Sequence, residues 1–357
     1  MRFVGEAPDD PARKGPARSP RPRALLVDDP RFDGHRPAGH HPERPERLAA
    51  ARAAIGAVPI AWEPVACPEA TLEQLARVHD ERFVEALSAE RGGRGFLDAD
   101  TYVSAGSVDA AFRAAGGAVA LVDALLDGPV AQGVALLRPP GHHARPAKAM
   151  GFCLLNNVAV AAAHARARGV GRVAIVDFDV HHGNGTQEMF WRDPSVLYVS
   201  THQFPFYPGT GAASEVGEGA GAGYTVNVPL RAGGGDAEYR AAFDRIVAPV
   251  LAEFAPELVL VSAGFDAAAR DPLAEMRLSA EAFAYMGRVL ARQARASAAG
   301  RIALVLEGGY DLPSLELGLV RAMEGAFLDA EAAIVPACDS DDVRTALAVA
   351  RRAWRGL

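Results

Sequence analysis

The densest group of reactive side chains is the stretch Asp177-Phe178-Asp179-Val180-His181-His182-Gly183-Asn184-Gly185, directly after the apolar run Val173–Val176. If extended backbone continues past Asp177, residues two apart share a face. Asp177, Asp179 and His181 then point one way, and Phe178, Val180 and His182 the other. A carboxylate and an imidazole on one side can grip a single cation, and Asp266, just past the run Leu258–Val261, can complete an Asp–His–Asp set. Three protein ligands with a fourth position open is the arrangement of a catalytic zinc site. Water bound there falls in pKa from about 15.7 to about 7 and becomes a nucleophile. A base must still take its proton. His142 and His143, behind the turn Pro139-Pro140-Gly141, are the candidates, because an unperturbed imidazole titrates near neutrality. Asp177 and Asn184 are available to orient those rings. Tyr310, after Gly308-Gly309, offers a neutral donor to a carbonyl oxygen becoming an oxyanion. His40 and His41, within Gly39–Leu48, fit a site rim and a plain helix N-terminus equally well.

Nearly every one of these groups follows a short apolar segment. Such segments lie at Ala24–Val27, Val134–Leu137, Val173–Val176, Val196–Val199, Thr225–Val228, Leu258–Val261 and Ile302–Leu306. Several are continuously apolar, as strands covered on both faces must be. Amphipathic helical patterns alternate with them at Pro45–Ile55, Val108–Leu126, Val158–Arg168, Ala237–Phe254, Ala280–Ala298 and Leu315–Leu328, and a last one at about 339–352 packs outside. The alternation predicts an α/β fold: an open, doubly wound, mostly parallel sheet with helices on both faces. Ligands bind beyond the carboxyl ends of such strands. Five strand ends deliver His142-His143, Asp177–His182, Ser200-Thr201-His202, Asp266 and Tyr310 to that edge. Any one is an ordinary polar loop residue; five together are not. Residues 1–22 read as an extended, loosely attached segment ahead of a single catalytic domain at 23–357. The glycine-rich stretch Gly217–Gly223 precedes a strand with no helix after it, so it is a flexible loop and not a dinucleotide cradle.

Composition narrows the function classes. The 357 residues carry a formal net charge of −7, and their basic residues are scattered. Nucleic acid is therefore not the expected partner. No apolar run approaches the roughly 18 residues of a membrane span. The three cysteines, Cys67, Cys153 and Cys338, lack CxxC spacing, which speaks against a disulfide framework or a thiolate metal site. With no apolar leader at the start, a cytoplasmic location is expected. Only Lys14 and Lys148 of 37 basic residues are lysines, a bias of GC-rich coding that points to a bacterial source.

Taken together, Arg138–Ala144 (RPPGHHA), GFC, DFDVHHGNGTQ, YVSTHQ, YPGTG, VNVPL, SAGFDA, DPL and LEGGY resemble the zinc-dependent histone deacetylase family. The likeness is nearest to its class II branch and the bacterial deacetylase-like amidohydrolases, and it spans about residues 24–330. The resemblance implies an arginase-like sheet of about eight strands. It makes Asp179, His181 and Asp266 the zinc ligands, with Fe²⁺ the other ion these donors accept. His143 becomes the general base and acid, His142 its partner, and Tyr310 the carbonyl-polarising group. Asp177 and Asn184 back the two histidines, the asparagine being a class II trait. Phe152 and Tyr207 match the walls of an acyl-lysine channel, and Gly151 a position where a larger side chain blocks entry. Structural K⁺ is implied at Asp177, Asp179, His181, Ser200 and Thr201, and again at Phe190, Asp193, Val196 and Tyr224.

The expected activity is hydrolysis of an acetyl or other acyl amide on a lysine side chain. An acylated polyamine or other small amine is the alternative substrate. A buried leucine, Leu273, stands where related polyamine enzymes carry an acid, which counts against that alternative. A silent acyl-lysine binding protein and a binuclear manganese hydrolase are the remaining rivals. The complete set of ligands, base and tyrosine argues against the first, and the lack of further bridging carboxylates against the second. Homo-oligomerisation is left open.

Overall fold

The computed structural model describes residues 21–333 and 335–357, so residues 1–20 of the expected N-terminal segment lie outside it. The strands are β1 (Arg23–Val27), β2 (Ala61–Val65), β3 (Gly95–Phe96), β4 (Tyr102–Val103), β5 (Gln132–Ala135), β6 (Val173–Asp177), β7 (Val196–Gln203), β8 (Thr225–Leu230), β9 (Leu258–Ala263) and β10 (Ile302–Leu306). Eight of them form one sheet in the order β2-β1-β5-β10-β9-β6-β7-β8, and every neighbouring pair is parallel. β3 and β4 pair antiparallel as a separate small ribbon.

Every residue of β6, β7, β9 and β10 is buried. Since alternate side chains face opposite ways, both faces of the sheet must be covered. Helices Ser107–Asp127 and Asn157–Ala167 pack on one another, and Glu46–Ala57, Ala280–Ser297 and Leu312–Leu328 form a second packed group. β10 touches a member of each. The C-terminal helix, Asp341–Ala350, packs beside β8 at the sheet edge, with Ser340 accepting the Val343 N–H as its cap.

Seven of the eight sheet strands follow the apolar runs. β2 does not stand out because Ala61-Trp62-Glu63-Pro64-Val65 is interrupted by a charge and a proline. It survives as an edge strand, where a missing N–H is tolerated. β5 begins at Gln132 instead of Val134, since its register is set by pairing with β1 and β10 (Leu25 opposite Gly133, Ile302 opposite Gln132). The helical pattern at Ala237–Phe254 is interrupted by a π-turn, Phe243–Val247, just before Pro249, which has no N–H to donate. Gly217–Gly223 is a tight turn and not a loose loop: a Cβ on Gly217 would sit 2.2 Å from the Gly221 carbonyl oxygen.

The sheet order places the site. β5, β10, β9 and β6 are consecutive, and beyond their carboxyl ends lie His142-His143, Tyr310, Asp266 and Asp179-His181 in turn. Segments far apart in the chain are thereby neighbours along one edge.

Candidate active site

β6 ends at Asp177, yet the expected alternation persists for five more residues. Phe178 goes into the core against Phe265 and Phe283, with ring centroids 6.0 Å away in each case. His182 turns aside to Thr210 Oγ1 (2.8 Å) and Gln187 Oε1 (3.0 Å). Asp179 and His181 face the carboxyl edge. His181 Nδ1 stands 3.3 Å from Asp179 Oδ1 and 3.2 Å from Asp266 Oδ2. Among the described residues these three form the one cluster of potential metal ligands, their donor atoms all within 4.8 Å of one another.

That spacing suits a metal. Two ligands each about 2.0–2.1 Å from a tetrahedral ion stand about 3.3 Å apart, and one nitrogen with two carboxylate oxygens is a donor set that transition metals accept. Backbone amides fix the carboxylates. Gly308 N–H donates to Asp179 Oδ2 (2.7 Å), Val180 N–H to Asp266 Oδ1 (2.8 Å), and His181 N–H to Asp179 Oδ1 (3.0 Å). Glycine at 308 is required by this approach, because a Cβ there would lie 2.1 Å from Asp266 Oδ2 and 2.6 Å from Asp179 Oδ2. Burial pushes Asp266 up to about 7, with the Asp179 charge adding to it. Burial opposes charge on His181 as well, but hydrogen bonds to Asp179 and Asp266 carry it to about 10. The cluster therefore accommodates positive charge between its carboxylates, such as a divalent cation carries.

The histidine pair is held by two different partners. His142 Nδ1 meets Asp177 Oδ2 at 3.1 Å, and Tyr198 OH donates to the same oxygen at 3.1 Å. His143 Nδ1 meets Asn184 Oδ1 at 2.9 Å, while Asn184 Nδ2 points to Met150 Sδ at 3.5 Å. That sulfur contact orients the amide oxygen towards His143, so His143 carries its proton on Nδ1 and leaves Nε2 as the acceptor. The rings are 4.0 Å apart, and their surroundings drive them apart in basicity. Burial works against the charge on His142, but Asp179 and Asp177 raise it to about 10. Burial, together with the charges of His142 and His181, lowers His143 well below the ordinary imidazole value.

Tyr310 lines the same pocket. Its N–H donates to Asp271 Oδ2 (2.6 Å), the Phe152 ring meets its own edge-on at 5.8 Å, and the Arg47 guanidinium lies 4.9 Å from its ring centroid. Its hydroxyl has no hydrogen-bond partner among the described residues. Phe152 holds a left-handed backbone (φ 67°) with its N–H on Thr101 Oγ1, a strained conformation of the kind that collects at functional sites. Gly151 (φ 58°) has a specific steric reason: a Cβ there would come within 2.5 Å of His143 Cδ2. Tyr207 packs edge-on to His143 at 5.1 Å and is partly exposed. His41 belongs to the rim, its ring edge-on to Phe152 (4.7 Å) and Tyr102 (4.8 Å). Leu273 is half-buried and not buried as expected, because its short loop hangs from Asp271 Oδ1 near the surface.

Of the residues implied for K⁺, Ser200 and Thr201 lie buried on β7 beside Asp177. Thr201 Oγ1 is a buried oxygen without a hydrogen-bond partner among the described residues. Phe190, Asp193 and Val196 lie along the turn into β7, and the Tyr224 carbonyl accepts the Tyr198 N–H (2.9 Å) at its side.

Several residues that shape the site escaped the motif reading. Glu307 is fully buried and accepts N–H groups from Gly141 (2.6 Å) and His142 (3.2 Å) and the Ser262 hydroxyl (3.1 Å). It thus pins the histidine loop to β9 and β10. Arg47, also fully buried, donates to the carbonyls of Glu307 and Gly309 (2.7 Å for the latter) and pairs with Glu43. Glu43 in turn pairs with buried Arg138, just before the histidine turn. An acid within the apolar run Ile302–Gly308 was the available signal for Glu307, and the charged repeat Pro42–Arg47 for the other pair.

An all-parallel α/β sheet carrying, at its carboxyl edge, an Asp–His–Asp cluster able to hold a metal and a histidine pair with divergent basicity has the makings of a hydrolase site. Comparison with known proteins sharpens this. Residues 41–326 match the model of the histone deacetylase domain, and the chain belongs to that family of hydrolytic deacetylases. It is 42% identical over 307 residues to a "Probable deacetylase" of Archaeoglobus fulgidus, covering 83% of this chain and 85% of that protein. It is 44% identical over 308 residues to the human "Polyamine deacetylase HDAC10", covering 82% of this chain but 44% of that longer protein. Among solved structures, the HDA15 HD domain superposes with a TM-score of 0.86 at 39% identity, covering 94% of this chain and 97% of the other. The eight-stranded parallel architecture is therefore the deacetylase fold. Among the described residues no helix is long and apolar enough to cross a membrane.

Proposed function

We propose that this chain is a zinc-dependent amidohydrolase that removes an acetyl group from acylated lysine side chains. The observation that carries the reading is convergence: Asp179, His181 and Asp266, the pair His142-His143, and Tyr310 all arrive at one sheet edge from four adjacent strands. Zinc held by the Asp–His–Asp cluster supplies Lewis acidity, polarising the scissile carbonyl and acidifying water. His143, neutral and with Nε2 free, takes a proton from the attacking water as its oxygen bonds to the carbonyl carbon. Tyr310 donates its hydroxyl proton in a hydrogen bond to the carbonyl oxygen as negative charge builds there. When the C–N bond breaks, His143 returns the proton to the amine nitrogen, leaving acetate and a free amine. His142, held by Asp177 Oδ2 at 3.1 Å, stands beside the carbonyl as the partner of His143. Phe152 and Tyr207 form the walls for the aliphatic stem. Ser200, Thr201 and the carbonyls around Asp177 are the proposed seat of a structural K⁺, with a second near Phe190, Asp193, Val196 and Tyr224.

Acylated polyamines are the second reading, favoured by the similarity to a polyamine deacetylase. Half-buried Leu273 offers a polycation no counter-charge, and this favours lysine. A kcat/KM comparison of an acetyl-lysine peptide with acetylspermidine on zinc-loaded protein decides. Faster turnover of the peptide is expected; hydrolysis of neither by metal-loaded protein would sink the deacetylase reading itself.

A further inference from the structure

A second recess of about 700 Å³ opens beside the channel, between the loop 34–41 and the β3–β4 ribbon. It shares His41 with the channel rim, where that ring meets Phe152 on one side and buried Tyr102 on the other. Arg36, Arg94 and His40 line it, and no carboxylate does. Both arginines are exposed, and neither side chain has an ion-pair or hydrogen-bond partner among the described residues. Other exposed arginines, such as Arg82 and Arg277, are likewise unpaired among the described residues; what distinguishes Arg36 and Arg94 is that both line one recess together with His40. Of the carboxylates nearby in sequence, Asp98 is bridged to Lys148 at 2.9 Å and Glu43 is buried against Arg138 and Arg47, while Asp100 accepts the Thr101 hydroxyl at 3.0 Å and does not line the recess. Phe96, 69% exposed, adds an apolar surface at the same margin.

We infer that this recess is a subsite for a carboxylate side chain flanking the acylated lysine, so that the preferred substrate is an acyl-lysine within an acidic stretch of polypeptide. The inference rests on the deacetylase reading above. A polypeptide whose acyl-lysine occupies the channel must leave along the rim, and successive residues advance about 3.3 Å each. A residue a few positions away then passes over the recess that adjoins His41. Complementary charge at a rim gives selectivity and raises capture more than it alters the chemical step. A cationic recess also repels a polyamine, independently of Leu273.

Three acetyl-lysine peptides identical except for flanking Glu, Gln or Arg test it on zinc-loaded protein. At low ionic strength the Glu peptide should exceed the Gln peptide in kcat/KM by about tenfold, the size expected of two partly exposed ion pairs, and mostly through KM. The Arg peptide should fall below both. The Glu-to-Gln ratio should collapse towards one in Arg36→Gln/Arg94→Gln and should shrink in 0.5 M salt, where a Debye length of about 4 Å weakens exposed ion pairs. Equal turnover of all three peptides, or a Glu preference that survives in the double variant, overturns the inference while leaving deacetylation standing. Efficient hydrolysis of acetylspermidine with none of any peptide overturns the inference and the lysine reading together.

Discussion

Removing the Tyr310 hydroxyl with Tyr310→Phe separates chemistry from architecture. The phenol oxygen makes no hydrogen bond to any described residue. What holds the residue is its N–H on Asp271, the Phe152 edge and the Arg47 guanidinium, and phenylalanine keeps all three. No buried partner is orphaned, so stability should change by less than about 0.5 kcal/mol and Tm by no more than a few degrees. Metal content should also be unchanged, because the ligands are elsewhere. In the reaction the hydroxyl serves charge that exists only at the transition state. Loss of one such donor costs about 2.7–4 kcal/mol, or roughly 10²–10³ in kcat, with little change in KM. Burial pushes the phenol well above its ordinary value, so it remains a neutral donor across any practical assay range. The assay is kcat and KM on an acetyl-lysine peptide, with zinc per chain and thermal melts in parallel. Turnover within threefold of wild type, or an inactive variant that has also lost its metal or its fold, would refute the reasoning.

Gly308→Ala should do the reverse, striking the metal site first. Its methyl must displace two carboxylates by about 1 Å, and zinc affinity measured against a chelator should drop at least a hundredfold with activity following; unchanged affinity would mean the loop simply moves aside. His79 links pH to stability. Burial lowers it to about 4, with Asn156 N–H donating to its Nε2 and its Nδ1–H bonded to the Arg145 carbonyl. The unfolded chain, with an ordinary value near 6.5, binds the extra proton between pH 6.5 and 4, so this group's contribution is full above 6.5 and is lost as pH falls. That is about 3 kcal/mol, and urea titrations should find a flatter stability–pH slope over this window in His79→Gln; an identical slope counts against it. The thiols give a simple check. Burial pushes Cys67 up to about 12 and Cys153 well above the usual range, whereas Cys338 is half-buried. Native protein should therefore react with an aromatic disulfide reagent at one thiol at most, and two fast-reacting thiols would contradict the packing.

What the sequence determined by itself was local and periodic. Continuous apolar runs marked the strands of the sheet other than its polar edge, because a strand covered on both faces must be apolar throughout. The two-residue spacing of Asp177, Asp179 and His181 placed them on a common side even where strand pairing stops. Tertiary structure alone decided what those residues meet. The strand order puts β10 between β5 and β9, so that Glu307 fastens the histidine loop and Arg47 reaches a carbonyl 262 residues away. β2 exists only because β1 offers it an edge, and the cationic recess exists only where the loop 34–41 meets the β3–β4 ribbon. Side-chain period is written into neighbouring residues, whereas partners this distant are chosen by the packing of whole elements, which leaves no spacing to read.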